Sequence, residues 1–131
     1  MSFLKFFKSS VANDGLSQSE REAIADLLHF GMYADNHLSL VEDKVISDAV
    51  FQMGWDAKVS FESFQAQSLA RVREAKENPE ARAAFYKSLQ DRLASKATRA
   101  RALNLVTKLF QSDGTSDKES AVLAEIKRLL A

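Results

Sequence analysis

One proline and four glycines are all that interrupt 131 residues, and between them the apolar side chains recur at three and four positions. That spacing places them on one face of a helix, whereas a strand requires alternation, which no segment sustains. The predicted fold class is therefore all-α: a single compact bundle of about seven helices over residues 1–131, with short connections and no linker long enough to separate the chain into domains. A short amphipathic segment opens the chain (1–12), with Phe3, Leu4 and Phe7 on one side of a helix over 2–9. The second helix follows Ser17 and runs to about Ala34, with Ile24, Leu27, Leu28 and Met32 inward. The third follows Ser39, buries Val45, Ile46, Ala49 and Met53, and ends near Gly54, a suitable left-handed terminator. The fourth follows Ser60 and carries Phe61, Phe64, Leu69 and Val72. Asn78-Pro79-Glu80 reads as cap, first helical residue and early acid of the fifth, which buries Phe85, Leu89 and Leu93. The sixth spans about Thr98 to Gln111 with Ala102, Leu103, Val106, Leu109 and Phe110, and the seventh follows Ser116 with Val122, Leu123, Ile126, Leu129 and Leu130.

Three starts share a pattern. Ser17…Glu20, Ser39…Glu42 and Ser116…Glu119 fit a capping box, in which serine and glutamate satisfy each other's backbone amides. Caps alone account for these serines and glutamates. They do not require the aspartates that come before, Asp14, Asp35 and Asp113. The later two copies also continue in parallel: Val45, Ile46, Ala49 and Met53 follow Glu42 at the distances at which Val122, Leu123, Ile126 and Leu130 follow Glu119. Two pseudo-equivalent helix-turn-helix halves would let Asp35, Glu42, Asp113 and Glu119 share one surface. Four carboxylates suit a hard divalent cation, calcium or magnesium, which takes oxygen ligands. An EF-hand is excluded, because the twelfth position counted from Asp35 is Ile46.

The stretches MYADNHLSLVEDKVISDAVFQMG, NPEARAAFYKSLQ and ALNLVTKLFQSDGTSDKESAVLAEIKRLL resemble the tellurite-resistance TerB family, whose relatives include the N-terminal domain of the DjlA co-chaperone. Ala34-Asp35-Asn36-His37-Leu38-Ser39-Leu40-Val41-Glu42 resembles the family's first acidic turn, with Asn36 where the family has glycine. Ser112-Asp113-Gly114-Thr115-Ser116-Asp117-Lys118-Glu119 resembles the second, one residue shorter before the serine. The resemblance implies an all-helical, cytoplasmic, stress-associated domain. Its paired acidic turns would bind a divalent cation or a basic partner.

Other chemistry is thinly represented. No cysteine is present, which removes disulfides, thiolate metal sites and thiol nucleophiles. There is no nucleophile elbow, no evident serine–histidine pair and no glycine-rich phosphate loop, so the expectation is a non-catalytic protein. His37 sits in the first acidic turn and His29 on a helix. The charges are uneven: nine acids and two bases between Asp14 and Asp56 leave that span at −7, while Arg92 to Lys108 holds five bases and no acid. Such asymmetry fits an internal complement better than nucleic acid, since no aromatic platform accompanies the bases. No apolar run reaches the ~20 residues of a membrane span. The opening MSFLKFFKSS lacks the apolar core of a signal peptide, and residues 1–10 offer at most a weak membrane-surface contact. Trp55, Phe61 and Phe64 read as core or rim packing. The alternative function is a helical interaction scaffold in a larger, membrane-associated complex, with the acids serving only as caps.

Overall fold

In the computed structural model, residues 16–32, 40–113 and 117–131 are described, with the side chains of 32, 109–113 and 117–120 excepted. These residues form six α-helices and no strand: α1 (Gln18–Met32), α2 (Leu40–Gln52), α3 (Phe61–Glu77), α4 (Pro79–Arg92), α5 (Lys96–Asp113) and α6 (Asp117–Leu130). The helix expected over 2–9 lies outside the described residues.

Every helix starts one residue after a serine or an asparagine, and where the cap is described its side chain supplies a missing partner for the first turn. At α1 the capping box is complete: the Ser17 amide donates to Glu20 Oε1 (2.8 Å) and the Glu20 amide donates to Ser17 Oγ (3.1 Å). Ser60 Oγ accepts from the Ser63 amide at α3. Asn78 Oδ1 accepts from the amides of Glu80 and Ala81, with Pro79 as the first residue of α4. Helix α5 begins earlier than its apolar spacing predicts, at Lys96 and not Thr98. The reason is Ser95, whose Oγ accepts from the Thr98 amide at 3.0 Å, so that Thr98 belongs to the first turn. Its other end is Asp113, two residues beyond the expected Gln111.

Helix ends are closed by arginines reaching back from the next helix. Arg82 donates through Nε to the Ala75 carbonyl and through Nη2 to that of Lys76, at the end of α3. Arg99 does the same for α4, donating to the carbonyls of Leu93 (2.6 Å) and Gln90 (3.0 Å). These contacts satisfy orphaned carbonyls and permit the very short α3–α4 and α4–α5 connections. After α2, Gly54 turns the chain at φ +89°, where a Cβ would be strained. Trp55 Nε1 then donates to the Val59 carbonyl, and the Asp56 amide donates to Gln18 Oε1, which fastens this corner to the start of α1.

Helix α1 is central. From Ala23 to Gly31 it is buried on every side, not along one stripe as Ile24, Leu27 and Leu28 suggest by themselves. It packs against each of the other five helices. A helix enclosed in this way is expected to be apolar all round, and AIADLLHFG nearly is. Around it lie Ile46, Ala49, Val50 and Met53 from α2, Phe61, Phe64 and Val72 from α3, Phe85 and Leu89 from α4, Leu105 and Val106 from α5, and Ile126 from α6. Trp55 packs edge-on to Phe61 and lies 5.1 Å from Phe64 between ring centroids, in keeping with the expected core role of all three. Leu105 takes the fully buried position in α5 and leaves Leu103 half-buried, because Ala102 and Val106 set which face turns toward α1. No helix among the described residues is long and apolar enough to cross a membrane.

Leu27, fully enclosed at the centre of α1, should cost about 2–5 kcal/mol when truncated to alanine, against about 1 kcal/mol for Ser17→Ala at the cap. Urea denaturation of both variants measures the contrast; equal losses would mean that α1 is not the packing centre.

Candidate functional site

Two polar residues interrupt the enclosed helix: Asp26 and His29, both with no exposed surface. A buried carboxylate is tolerated only when charges and hydrogen bonds compensate it. Asp26 Oδ1 accepts from Ser68 Oγ (2.5 Å) and from Arg71 Nη2 (3.0 Å), both on α3, while Oδ2 accepts from Arg92 Nη2 (2.7 Å) at the end of α4. Three helices thus meet on one side chain.

The hydrogen-bond directions in the rest of the network follow from proton counting. Ser68 gives its only hydroxyl proton to Asp26, so at the 2.8 Å contact between Ser68 Oγ and His29 Nδ1 the ring nitrogen is the donor. His29 Nε2 then accepts from Gln65 Nε2 (3.3 Å), and the same amide group donates to Asp43 Oδ1 (2.8 Å) on α2. Every member is satisfied with a neutral imidazole. Burial accordingly lowers the His29 pKa from 6.5 to about 4, although the charges of Asp26 and Asp43 pull the other way. The Ser68–His29 pair is one that sequence inspection does not find. It is not arranged for nucleophilic catalysis: the histidine donates to the serine instead of accepting from it, and both are fully buried.

The same two arginines reach the surface. A cleft of about 250 Å³ between α3 and α4 is lined by Arg71, Glu74, Phe85, Ser88 and Arg92, with Ala81 and Ala84. A second depression, of about 290 Å³, shares Arg71, Ser88 and Arg92 and adds Glu22, Phe64 and Gln67. A more open groove of about 580 Å³ lies between α4 and α6, beside the Tyr86 hydroxyl that donates to Glu125 Oε2.

No family model, curated protein or solved structure matches this chain. The residues singled out from sequence are distributed as follows. Glu42 is half-buried in the first turn of α2. Asp113 is the last residue of α5 and Glu119 the third of α6, with both side chains outside the described residues. Asp35 and His37 lie outside them altogether. Among the described residues no group of three or more histidine, aspartate or glutamate side chains is placed to hold a metal ion. The basic stretch is broken between two helices: Arg92 ends α4 and pairs with Asp26, whereas Lys96 starts α5. The five bases from Arg92 to Lys108 therefore do not belong to one helix.

The buried network carries no motif. Its trace in the sequence is positional: Asp26 and His29 stand three apart inside an apolar helix, and Ser68 and Arg71 stand three apart on another.

Asp26→Asn should lose about 1.5–3 kcal/mol in urea denaturation, because it takes the charged acceptor from two guanidiniums that are themselves partly hydrated. For His29 the sign follows from its depressed pKa. Above 6.5 both folded and unfolded chains hold it neutral, and as pH falls toward 4 only the unfolded chain takes up the proton. Stability should therefore drop by about 2 kcal/mol between roughly pH 8 and pH 5. In His29→Asn that portion of the slope should vanish; denaturant midpoints across this range give the answer, and an unchanged slope would refute the assignment.

Proposed function

We propose that this chain is a non-catalytic, stress-associated binding module of the TerB type. It presents paired acidic turns, Asp35 with Glu42 and Asp113 with Glu119, to a divalent cation (calcium or magnesium) or to a basic protein partner in the cytoplasm. The observation that carries this reading is register. Helices α2 and α6 each begin one residue after the serine of their turn, so Glu42 and Glu119 are both third residues of their helices. The preceding helices α1 and α5 start side by side, since Thr98 Oγ1 donates to Glu20 Oε2 (3.2 Å). That relation supports two pseudo-equivalent halves, α1–turn–α2 and α5–turn–α6, with their acidic turns on one surface. Carboxylates from two turns would supply the oxygen ligands that hard cations require. The lack of cysteine, of a nucleophile elbow and of a phosphate loop supports a binding role over a catalytic one.

A second reading, a helical interaction scaffold, is favoured by one observation. Leu40, Val41 and Phe51 of α2 are 87%, 68% and 60% exposed, unusual for large apolar side chains. In that case the glutamates serve only as caps and α2 is the docking face.

Amide NMR during calcium and magnesium titration separates the two. The first reading expects saturable shifts at Glu42 and Glu119 that disappear in the Asp35→Ala/Asp113→Ala variant, with a stability gain of about 2.7 kcal/mol once cation reaches a hundredfold excess over Kd. A chain that ignores millimolar cation in both forms would refute cation binding.

A further inference from the structure

The cleft between α3 and α4 joins a fixed pair of guanidiniums to an apolar wall. We propose that it is a binding site for a small monocarboxylate with a short apolar body. The inference is independent of the acidic turns.

Its charged end is built from Arg71 and Arg92. Each gives Asp26 a single nitrogen, Nη2, so two positive charges meet one buried negative charge. Neither guanidinium is loose. Arg92 Nε also donates to the Ser88 carbonyl (3.2 Å), and Arg71 Cζ lies 5.6 Å from the centre of the Phe64 ring. Arginine offers five donors in a planar fork that matches a carboxylate. Two forks already held in position lose little side-chain freedom when a ligand arrives. The Arg71 side chain is 44% exposed and that of Arg92 21%, so both remain accessible from the cleft they line.

The other end is apolar. Ala81, Ala84 and Phe85 project from successive turns of α4 into the lining. At about 250 Å³ the cleft has the volume of roughly eight water molecules, which suits an acid of a few carbons. Glu74 in its lining and Glu22 in the depression beyond the arginines, with Asp26, outnumber the two guanidinium charges by one, so net charge does not draw an anion here. These acids repel a multiply charged phosphate more than a single carboxylate. Preference for a carboxylate over a neutral molecule rests instead on the charge-assisted hydrogen bonds that the unused guanidinium N–H groups can donate.

The test is amide and arginine-Nε NMR of the full chain, titrated with butyrate, butyramide and inorganic phosphate at constant ionic strength. Butyrate should give saturable shifts centred on Arg71, Ser88 and Arg92, with butyramide and phosphate at least about tenfold weaker. Ser88→Glu places a carboxylate beside both guanidiniums at an exposed helical position, so it should abolish the butyrate response and keep the fold. Arg71→Gln, which leaves the Arg92–Asp26 pair in place, should weaken butyrate by about tenfold or more. The Asp35→Ala/Asp113→Ala variant should bind butyrate as the parent does. Equal shifts with butyrate and butyramide, tighter binding of phosphate, or a butyrate response that survives Ser88→Glu would each overturn the proposal.

Discussion

The carboxylate of Asp26, with no exposed surface inside α1, is the constraint around which three helices are arranged. Taking such a charge out of water costs several kcal/mol even after relaxation, a cost that Ser68, Arg71 and Arg92 offset together. Those partners come from α3 and α4. Sliding or rotating either helix by one turn would break the set, whereas apolar contacts tolerate small shifts. The network continues through His29 and Gln65 to Asp43, which brings α2 into the same hydrogen-bonded register. Helices α5 and α6 join α1 through apolar packing by Leu105, Val106 and Ile126, with hydrogen bonds such as Thr98 to Glu20 at the edge.

The uneven charge along the chain is explained in some measure by the same contacts. The N-terminal acidic span and the later basic stretch meet inside one molecule where Asp26 pairs with Arg92. Arg99 is used on the backbone, closing the end of α4. Such internal use lowers the positive charge that this stretch offers to a polyanion such as nucleic acid.

Glu42 and Glu119 are third residues of α2 and α6, where the helix dipole already favours an acid, so a cation ligand and a cap draw on the same residue type. This overlap is why Ser-x-x-Glu patterns nominate Glu42 and Glu119 for two roles at once. The α3–α4 cleft has no such signature. Arg71 and Arg92 are separated by twenty other residues and a helix reversal, and common surface arginines look the same in a sequence. Only Asp26, an acid set between Ala25 and Leu27 in an enclosed helix, betrays that positive partners must converge there.

The all-helical class and most helix starts are legible in the residues themselves, because capping is local: a serine or asparagine oxygen and an amide two or three residues on are within reach whatever the rest of the chain does. The turn at Gly54 and the inward residues of α3 and α4 are legible too, since apolar positions there recur with the helical period. Only the assembled helices settle that α1 is enclosed on all sides, that Leu105 goes in while Leu103 is left half-buried, and that Arg92 turns back to Asp26 in place of extending the basic face of α5. Those outcomes depend on which helices meet across dozens of residues. No local pattern encodes them, since burial and charge pairing are properties of the packed neighbours and not of any one segment.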